Sequence, residues 1–365
     1  MIMSKWINDL MFCGESKIHD LLLEIYSNEL TSVLLIMGKG FDPRMNNMLN
    51  LLLGVNANIS ISCVLVDYPA GHTTEGDSLY QHNSSALDQL INDYKLSVHT
   101  ITVDAELKWQ RKIRKMCVEL SKFRMTDYSS IFIDISSMPR SIYFNIVKVV
   151  DKLVDDSVNV FVAVSENVEM DSRIIKINEP RQDEICPLFG FEGGYNLEAH
   201  FDNKKIFIPI LGEKQVDCLL QIYQSYIPED VCPILPFPSE DPRRSDSLLM
   251  EYQSILYDRI QIKPQDIMYA DEKNPFELYR ILNTMISNYE RTLKPISSDI
   301  CFGVAILTSK LQSIGALLVG LENNRVAIFD AMSSDYTIDG ADTINQLNTK
   351  SVPYLLWIKG EPYNE

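Results

Sequence analysis

Four short turns in this sequence gather the residue types that bind anions. The first reads Gly38-Lys39-Gly40-Phe41-Asp42-Pro43-Arg44. Its glycines allow close approach of backbone to a bound group. Asp42 before Pro43 has the form of an N-cap with proline at the first helical position. Arg44 then falls in the first helical turn, where the helix dipole disfavours a cation. A nearby anion relieves that conflict, and so does pairing with Asp42. The second turn is Asp134-Ile135-Ser136-Ser137-Met138-Pro139-Arg140. The hydroxyls of Ser136 and Ser137 can cap the following helix or donate to a phosphate or ribose, and Arg140 repeats the first-turn cation. Asp134 is placed to act as a general base or as a sheet-end cap. The third turn, Gly212-Glu213-Lys214, and the fourth, Thr308-Ser309-Lys310-Leu311-Gln312, repeat the theme, and Arg243 and Arg244 after Asp241-Pro242 add a further contribution. The G-x-x-x-x-G-K-[ST] phosphate loop is absent, and Pro43 stands where G-x-G-x-x-G requires its third glycine. Neither G-x-S-x-G nor H-E-x-x-H occurs. The five histidines are isolated and none lies in these turns. No catalytic residue is assigned, and no cofactor is implied.

The elements that must position these turns alternate between strand and helix. Short continuous apolar runs, the mark of strands buried on both faces, cover residues 32–37, 59–66, 96–103, 130–135 and 159–164. Helical patterns lie between them, at 43–53, 85–94, 107–123 and 139–154. Residues 69–84, with His72 and His82, read as a polar loop or lid. The order then recurs with strands at 205–211, 231–237, 266–269, 299–307 and 325–331, and helices between. Such alternation predicts an α/β fold of two Rossmann-like halves, each a doubly wound, mostly parallel sheet. VLLIMGKGFDPRMNNMLNLLL aligns with IFIPILGEKQVDCLLQIYQSY, and SIFIDISSMPRSIYFNIVKVV with ICFGVAILTSKLQSIGALLVG. These pairs point to an internal duplication. The expected division is an N-terminal helical segment 1–30, a first half 31–180, a linker 181–204, a second half 205–336, and a tail 337–365 with one strand. In the N-terminal segment Trp6, Leu10, Ile18, Leu22 and Ile25 share an apolar face. That face suits either packing on the chain's own sheet or contact with a partner.

Charge and composition narrow the classes. Fifty acidic side chains against 33 basic ones give a net charge of −17. A polyanion such as duplex nucleic acid is repelled by that field, while a basic protein partner is attracted. Seven scattered cysteines without a C-x-x-C pair read as reduced, mostly buried thiols, not a zinc site. No apolar run is long enough for a membrane span. The N-terminus lacks the charged-then-apolar pattern of an export signal, so a cytoplasmic location is expected.

The second and fourth turns carry a family resemblance. A strand, a hydroxyl-rich turn with one basic residue and an apolar helix, as in DISSMPRSIYF and again in LTSKLQSIGALL, resembles the fourth-strand motif of CARF domains. Arg140 stands where that family carries Lys, and the Gly-Gly of its turn is missing from both. CARF domains are the Rossmann-like cyclic-oligonucleotide sensors of CRISPR systems, and two such units in one chain also resemble the SAVED sensors of anti-phage signalling. The resemblance implies a nucleotide-sensing subunit that relays ligand binding to a separate effector. Gly38, Lys39, Arg44, Ser136, Ser137, Arg140, Gly212, Lys214, Arg243, Thr308, Ser309, Lys310 and Gln312 are the candidate ligand contacts. Two other readings fit the residues: a Rossmann-like enzyme acting on a nucleotide or phosphodiester, and an acidic structural adaptor for a basic subunit.

Overall fold

A computed structural model describes the chain apart from residues 1–4, 7, 27–29, 56–57, 69–72, 104–107, 178–184, 194, 196–203, 296, 298–299, 331–334 and 365. It divides into a larger unit, Leu10–Glu179 with Ser333–Glu365, and a smaller unit, Met1–Asp9 with Pro180–Met332. The chain enters the larger unit through strand β1 (Met11–Cys13) and helix α1 (Glu15–Tyr26). It continues through β2 (Thr31–Lys39), α2 (Asn47–Gly54), β3 (Ile59–Asp67), α3 (Thr74–Tyr94), β4 (Ser97–Thr102) and α4 (Trp109–Leu120). Next come β5 (Ser130–Asp134), α5 (Arg140–Leu153), β6 (Asn159–Glu166), α6 (Val168–Arg173) and β7 (Ile174–Ile177). The smaller unit follows with β8 (Lys204–Ile210), α7 (Val216–Tyr226), β9 (Asp230–Val231), β10 (Ile234–Pro236), α8 (Arg244–Glu251) and β11 (Met268–Ala270). It ends with α9 (Pro275–Leu293), β12 (Ile300–Ile306), α10 (Lys310–Glu322) and β13 (Val326–Asp330). The chain then returns to the larger unit as β14 (Asp335–Ile338), α11 (Ala341–Asn348) and β15 (Val352–Lys359).

The larger sheet has the order β1-β15-β6-β5-β2-β3-β4, the smaller β11-β10-β8-β12-β13. In each, five parallel strands run third, second, first, fourth, fifth along the chain. The fold is therefore α/β with doubly wound, mostly parallel, Rossmann-like sheets. That order is common to doubly wound folds, so it does not by itself establish a duplication. The central strands are buried on both faces: Val33–Gly38 of β2 and all of β5 and β12. This explains their unbroken apolar runs. In the smaller sheet the second strand is interrupted at Cys232-Pro233, so β9 and β10 pair β8 in two pieces. Proline supplies no amide for the ladder.

Helix boundaries follow local chemistry. Thr73 caps α3, its hydroxyl accepting from Gly76 N–H at 3.1 Å, and Lys95 closes it in the left-handed conformation. Asn274 caps α9 through the amides of Phe276 and Glu277, with Pro275 at the first position. Residues 74–84, read from sequence as part of a loop, are thus the first half of a helix. Their His, Asn and Ser content hid it.

The chain ends depart most from expectation. The N-terminal stretch is not one helical segment. Trp6 is buried in the smaller unit, edge-on to Tyr279 at 5.4 Å, and the backbone amide of Lys5 donates to Glu322. β1 instead joins the larger sheet, antiparallel to β15. β15 is itself interior, running antiparallel to β6. Leu355 and Leu356 are fully buried, and Trp357 packs its ring 4.9 Å from Phe161. Part of the expected linker is likewise structured: Leu188 N–H donates to Ile328 O at 2.7 Å, and Ile328 N–H to Phe191 O at 2.9 Å. Gly320 makes room for the Phe191 ring, which lies 2.8 Å from where a Cβ would stand.

If β15 is a core strand, Leu355→Ala should destabilise the protein by about 2–5 kcal/mol, the usual cost of emptying a fully buried leucine site. Val352→Ala, at an exposed position of the same strand, should stay within about 0.5 kcal/mol. Urea unfolding of the two variants measures both.

Candidate functional site

In doubly wound sheets ligands bind outside the carboxyl ends of the strands, where the order reverses. In the larger unit that point lies between β2 and β5, and its own side chains fill it. A Cβ at Gly38 would stand 2.6 Å from Met138 Cγ and 2.7 Å from Ser137 Oγ, and one at Gly40 would stand 3.0 Å from the Tyr68 hydroxyl. The glycines thus admit the chain's own side chains. Tyr68 is buried and its hydroxyl donates to Ser137 O. Ser137 Oγ donates to Gly38 O at 3.0 Å. Ser136 Oγ donates to Asp134 at 2.5 Å and accepts from Ser165 N–H at 2.9 Å. Asp134 also accepts from Ser136 N–H at 2.9 Å, so of its two expected roles the sheet-end cap is the one present.

Arg44, expected to face an anion, is instead 2% exposed. Asp42 accepts from its Nε at 3.0 Å and its Nη2 at 2.7 Å, and Asp171 of α6 lies 2.8 Å from Nη2. Nη1 donates to Ser165 O at 3.3 Å. Burial alone would push this guanidinium's pKa down, but the two carboxylates more than reverse that and hold it well above its ordinary value. Lys39 lies over the Tyr80 ring at 5.5 Å, beside the Tyr80 hydroxyl that donates to Asp67. Arg140 begins α5 and is half-buried. A cavity of about 650 Å³ borders this network, lined by Ser165, whose carbonyl Arg44 holds, and by His19, Asn47, Asn50 and Asn348 among others.

The smaller unit presents its turns differently. Gly212 follows β8 so tightly against β12 that a Cβ would lie 2.1 Å from Leu307 O. Its own carbonyl accepts from the Tyr252 hydroxyl at 2.7 Å. Lys214 is exposed, in the left-handed conformation, with its amide donating to Glu251. Ser309 caps α10, accepting from Gln312 N–H at 3.2 Å. Gln312 is buried and structural: it accepts from Thr308 Oγ1 at 2.6 Å and donates to Asp271 O at 3.1 Å. It therefore ties the turn after the fourth strand to the turn after the third. Thr308, Ser309 and Lys310 are half-exposed at the amino end of α10. Arg243 is exposed at the start of α8.

One member of the Arg243-Arg244 pair dominates this end of the smaller sheet. Arg244, not its neighbour Arg243, turns inward. It grips Glu213 with two hydrogen bonds, of 2.6 and 2.9 Å, and lies 3.0 Å from Glu272. Glu240, in the turn after the second strand, pairs with Lys273 at 3.0 Å. The Arg-Arg pair was visible in the sequence, but which side chain turns in depends on helix phase. Burial pushes the Glu213 carboxyl up, yet Arg244 outweighs it and holds that group below its ordinary value of 4.5. A cavity of about 410 Å³ in this unit is lined by Cys232, Glu277, Arg280 and Tyr289 among others. Among the described residues, no three His, Cys, Asp or Glu side chains converge as metal ligands, and no helix is long and apolar enough to cross a membrane.

Neither a protein-family model nor a curated protein matches the chain. Solved structures with local likeness include a candidate universal stress protein from Pseudomonas aeruginosa, 11% identical. That match covers 88% of this chain and 97% of the other, with a TM-score of 0.23. An S-adenosylmethionine-dependent methyltransferase from Clostridium acetobutylicum is 10% identical over 46% of this chain and 62% of its own, with a TM-score of 0.24. A glycopeptide N-methyltransferase complexed with S-adenosylmethionine is 9% identical over the same shares, with a TM-score of 0.22.

Two outcomes follow from these ion pairs. Arg44→Met leaves Asp42 buried without its main partner, so it should cost about 3–5 kcal/mol, as for other half-broken buried pairs; thermal and urea unfolding read this. Glu213 is held below 4.5 in the folded chain, so its contribution is present above that pH and is lost as pH falls through the lowered value. The stability of Arg244→Met should therefore fall less steeply below about pH 4.5 than that of the unaltered protein, measured by urea unfolding across an acid series.

Proposed function

We propose that this chain is a non-catalytic nucleotide-binding protein whose ligand is held by the smaller unit alone, with binding relayed to a separate protein. The observation that carries this reading is the contrast between the two switch points. In the larger unit, Arg44, Ser136 and Ser137 are spent on internal bonds and the glycines are filled. In the smaller unit, Lys214 and Arg243 are exposed at the carboxyl ends of the strands; Thr308, Ser309 and Lys310 are half-buried, as are Lys39 and Arg140 of the larger unit. A phosphate suits Lys310 and the amino end of α10, where amides and dipole favour an anion. Glu240 follows the second strand, the position from which doubly wound nucleotide sites reach ribose hydroxyls.

The likeness of LTSKLQSIGALL to the CARF turn supports a nucleotide or oligonucleotide ligand, and with it a role in prokaryotic defence signalling.

The test is equilibrium dialysis against ATP, GTP and cyclic oligoadenylates, with product analysis. Saturable binding without product is expected. Lys310→Glu should weaken it about 10- to 100-fold, the worth of a charge-assisted hydrogen bond in a partly buried site. Lys152→Glu, exposed in the last turn of α5 of the larger unit, should change nothing. Turnover of any of these nucleotides would make the protein an enzyme instead. Equal losses at Lys310 and Lys152 would remove the site.

A further inference from the structure

The acidic character of this chain is not uniform. Residues 108–124 hold seven of its 33 basic side chains and a single acid, Glu119. They form α4 and its flanks. Lys108, Arg111, Arg114, Lys115, Lys122 and Arg124 are exposed. Glu119 is occupied by Lys122 at 2.7 Å, and Lys112 lies over the Trp109 ring at 5.7 Å. The apolar side of the helix, Ile113, Met116 and Leu120, is buried. A cationic face is therefore displayed on a protein whose net charge is −17.

This helix flanks an open sheet edge. β4 ends the larger sheet, with β3 on one side and, among the described residues, no strand on the other. Its Ser97, His99, Thr100 and Thr102 are exposed. Successive side chains alternate between faces. His99 contacts Phe123, just beyond α4, at 4.6 Å between ring centres, so the His99 face is the α4 face. Val98 lies on the opposite face, in the cluster that includes Leu87, Leu90 and Ile91 of α3, and α3 exposes Asp88 and Asp93. Val103 N–H donates inward to Asp67 O at 2.7 Å. Alternation therefore turns the N–H and C=O of Val98, Thr100 and Thr102 outward, the unpaired row that accepts an added strand.

We propose that β4 and α4 together form a docking site for an extended acidic segment of another protein, added to the sheet as a further strand. Backbone groups of β4 supply the ladder, and the cations of α4 select carboxylates at every second position, on the side that faces them. Residues of the segment on the α3 side are neutral or basic. Charge also opposes an antiparallel pairing of two copies through this edge. An antiparallel β4–β4 ladder about a two-fold normal to the sheet sets α4 beside α4, cation against cation. A nucleic acid engages the cations but has no use for the outward amides, and this separates it from a polypeptide.

The experiment measures fluorescence anisotropy of a labelled peptide alternating Glu and Thr, added to the full chain. A Lys-Thr peptide and oligothymidylate serve as comparisons. The Glu-Thr peptide should bind in a salt-sensitive manner and the Lys-Thr peptide should not. Lys112→Glu with Lys115→Glu, which share with Glu119 the side of α4 nearest His99 of β4, should weaken binding at least about tenfold. Thr100→Pro removes an outward donor, which an edge strand tolerates. With circular dichroism and melting unchanged, it should also cost at least about tenfold, whereas Thr100→Val, which keeps the amide, should not. Absence of Glu-Thr binding, or binding that Thr100→Pro leaves intact, would overturn the proposal. Oligothymidylate binding that depends on Lys112 and Lys115 but not on Thr100, without peptide binding, would replace it with a nucleic-acid site. None of these readouts involves the nucleotide proposed for the smaller unit.

Discussion

The burial of Arg44 between Asp42 and Asp171 decides what the larger unit is able to do. A guanidinium taken out of water is tolerated only when its charge is met and its donors are used. Here Asp42 comes from the same turn, Asp171 from α6, and Ser165 O from the end of β6. Three elements are therefore held together at the carboxyl end of the sheet. Once Arg44 is committed to them, one of the three cations at these strand ends, beside Lys39 and Arg140, is already neutralised. Met138, Tyr68 and the two serines complete the closure around Gly38 and Gly40. The larger unit keeps the strand order of a ligand-binding fold while its switch point is occupied by its own chain.

The smaller unit has the same strand order and a different electrostatic arrangement at the same place. Arg244 is shared by Glu213 and Glu272, which fixes the turns after the first and third strands. Gln312 then ties in the turn after the fourth. These bonds brace the turns from beneath and leave Lys214, Arg243 and Lys310 at or near the surface. A braced set of turns with cations at its rim is the kind of arrangement in which an anion binds without reorganising the scaffold.

Much of this architecture was legible in the residues. The apolar runs at 32–37, 59–66, 130–135 and 159–164 became β2, β3, β5 and β6 with ends displaced by a few residues, because two-sided burial leaves no polar alternation to confuse them. What was hidden depended on distance in sequence or on brevity. Met11–Cys13 is too short to show a period. Nothing local says that β15 inserts between β1 and β6. Asp171 lies far along the chain from Arg44, so Asp42 alone suggested a pairing but not the burial. The basic run KWQRKIRK was in plain view, yet an average charge of −17 concealed it, since a net value carries no information about where charge is placed. Of the candidate contacts, the glycines and serines lie at the strand ends. Whether they meet a ligand or their own neighbours depends on side-chain volume at Tyr68 and Met138, which pattern alone does not supply.

Hydrogen–deuterium exchange of the full chain, with and without a saturating nucleotide identified by dialysis, tests the asymmetry between the units most directly. The expected result is added protection confined to the turns around Gly212–Lys214 and Thr308–Gln312 of the smaller unit, with Gly38–Arg44 and Ser136–Arg140 unchanged. Protection at Gly38–Arg44 and Ser136–Arg140 equal to or greater than that of the smaller unit's turns would contradict a closed switch point in the larger unit.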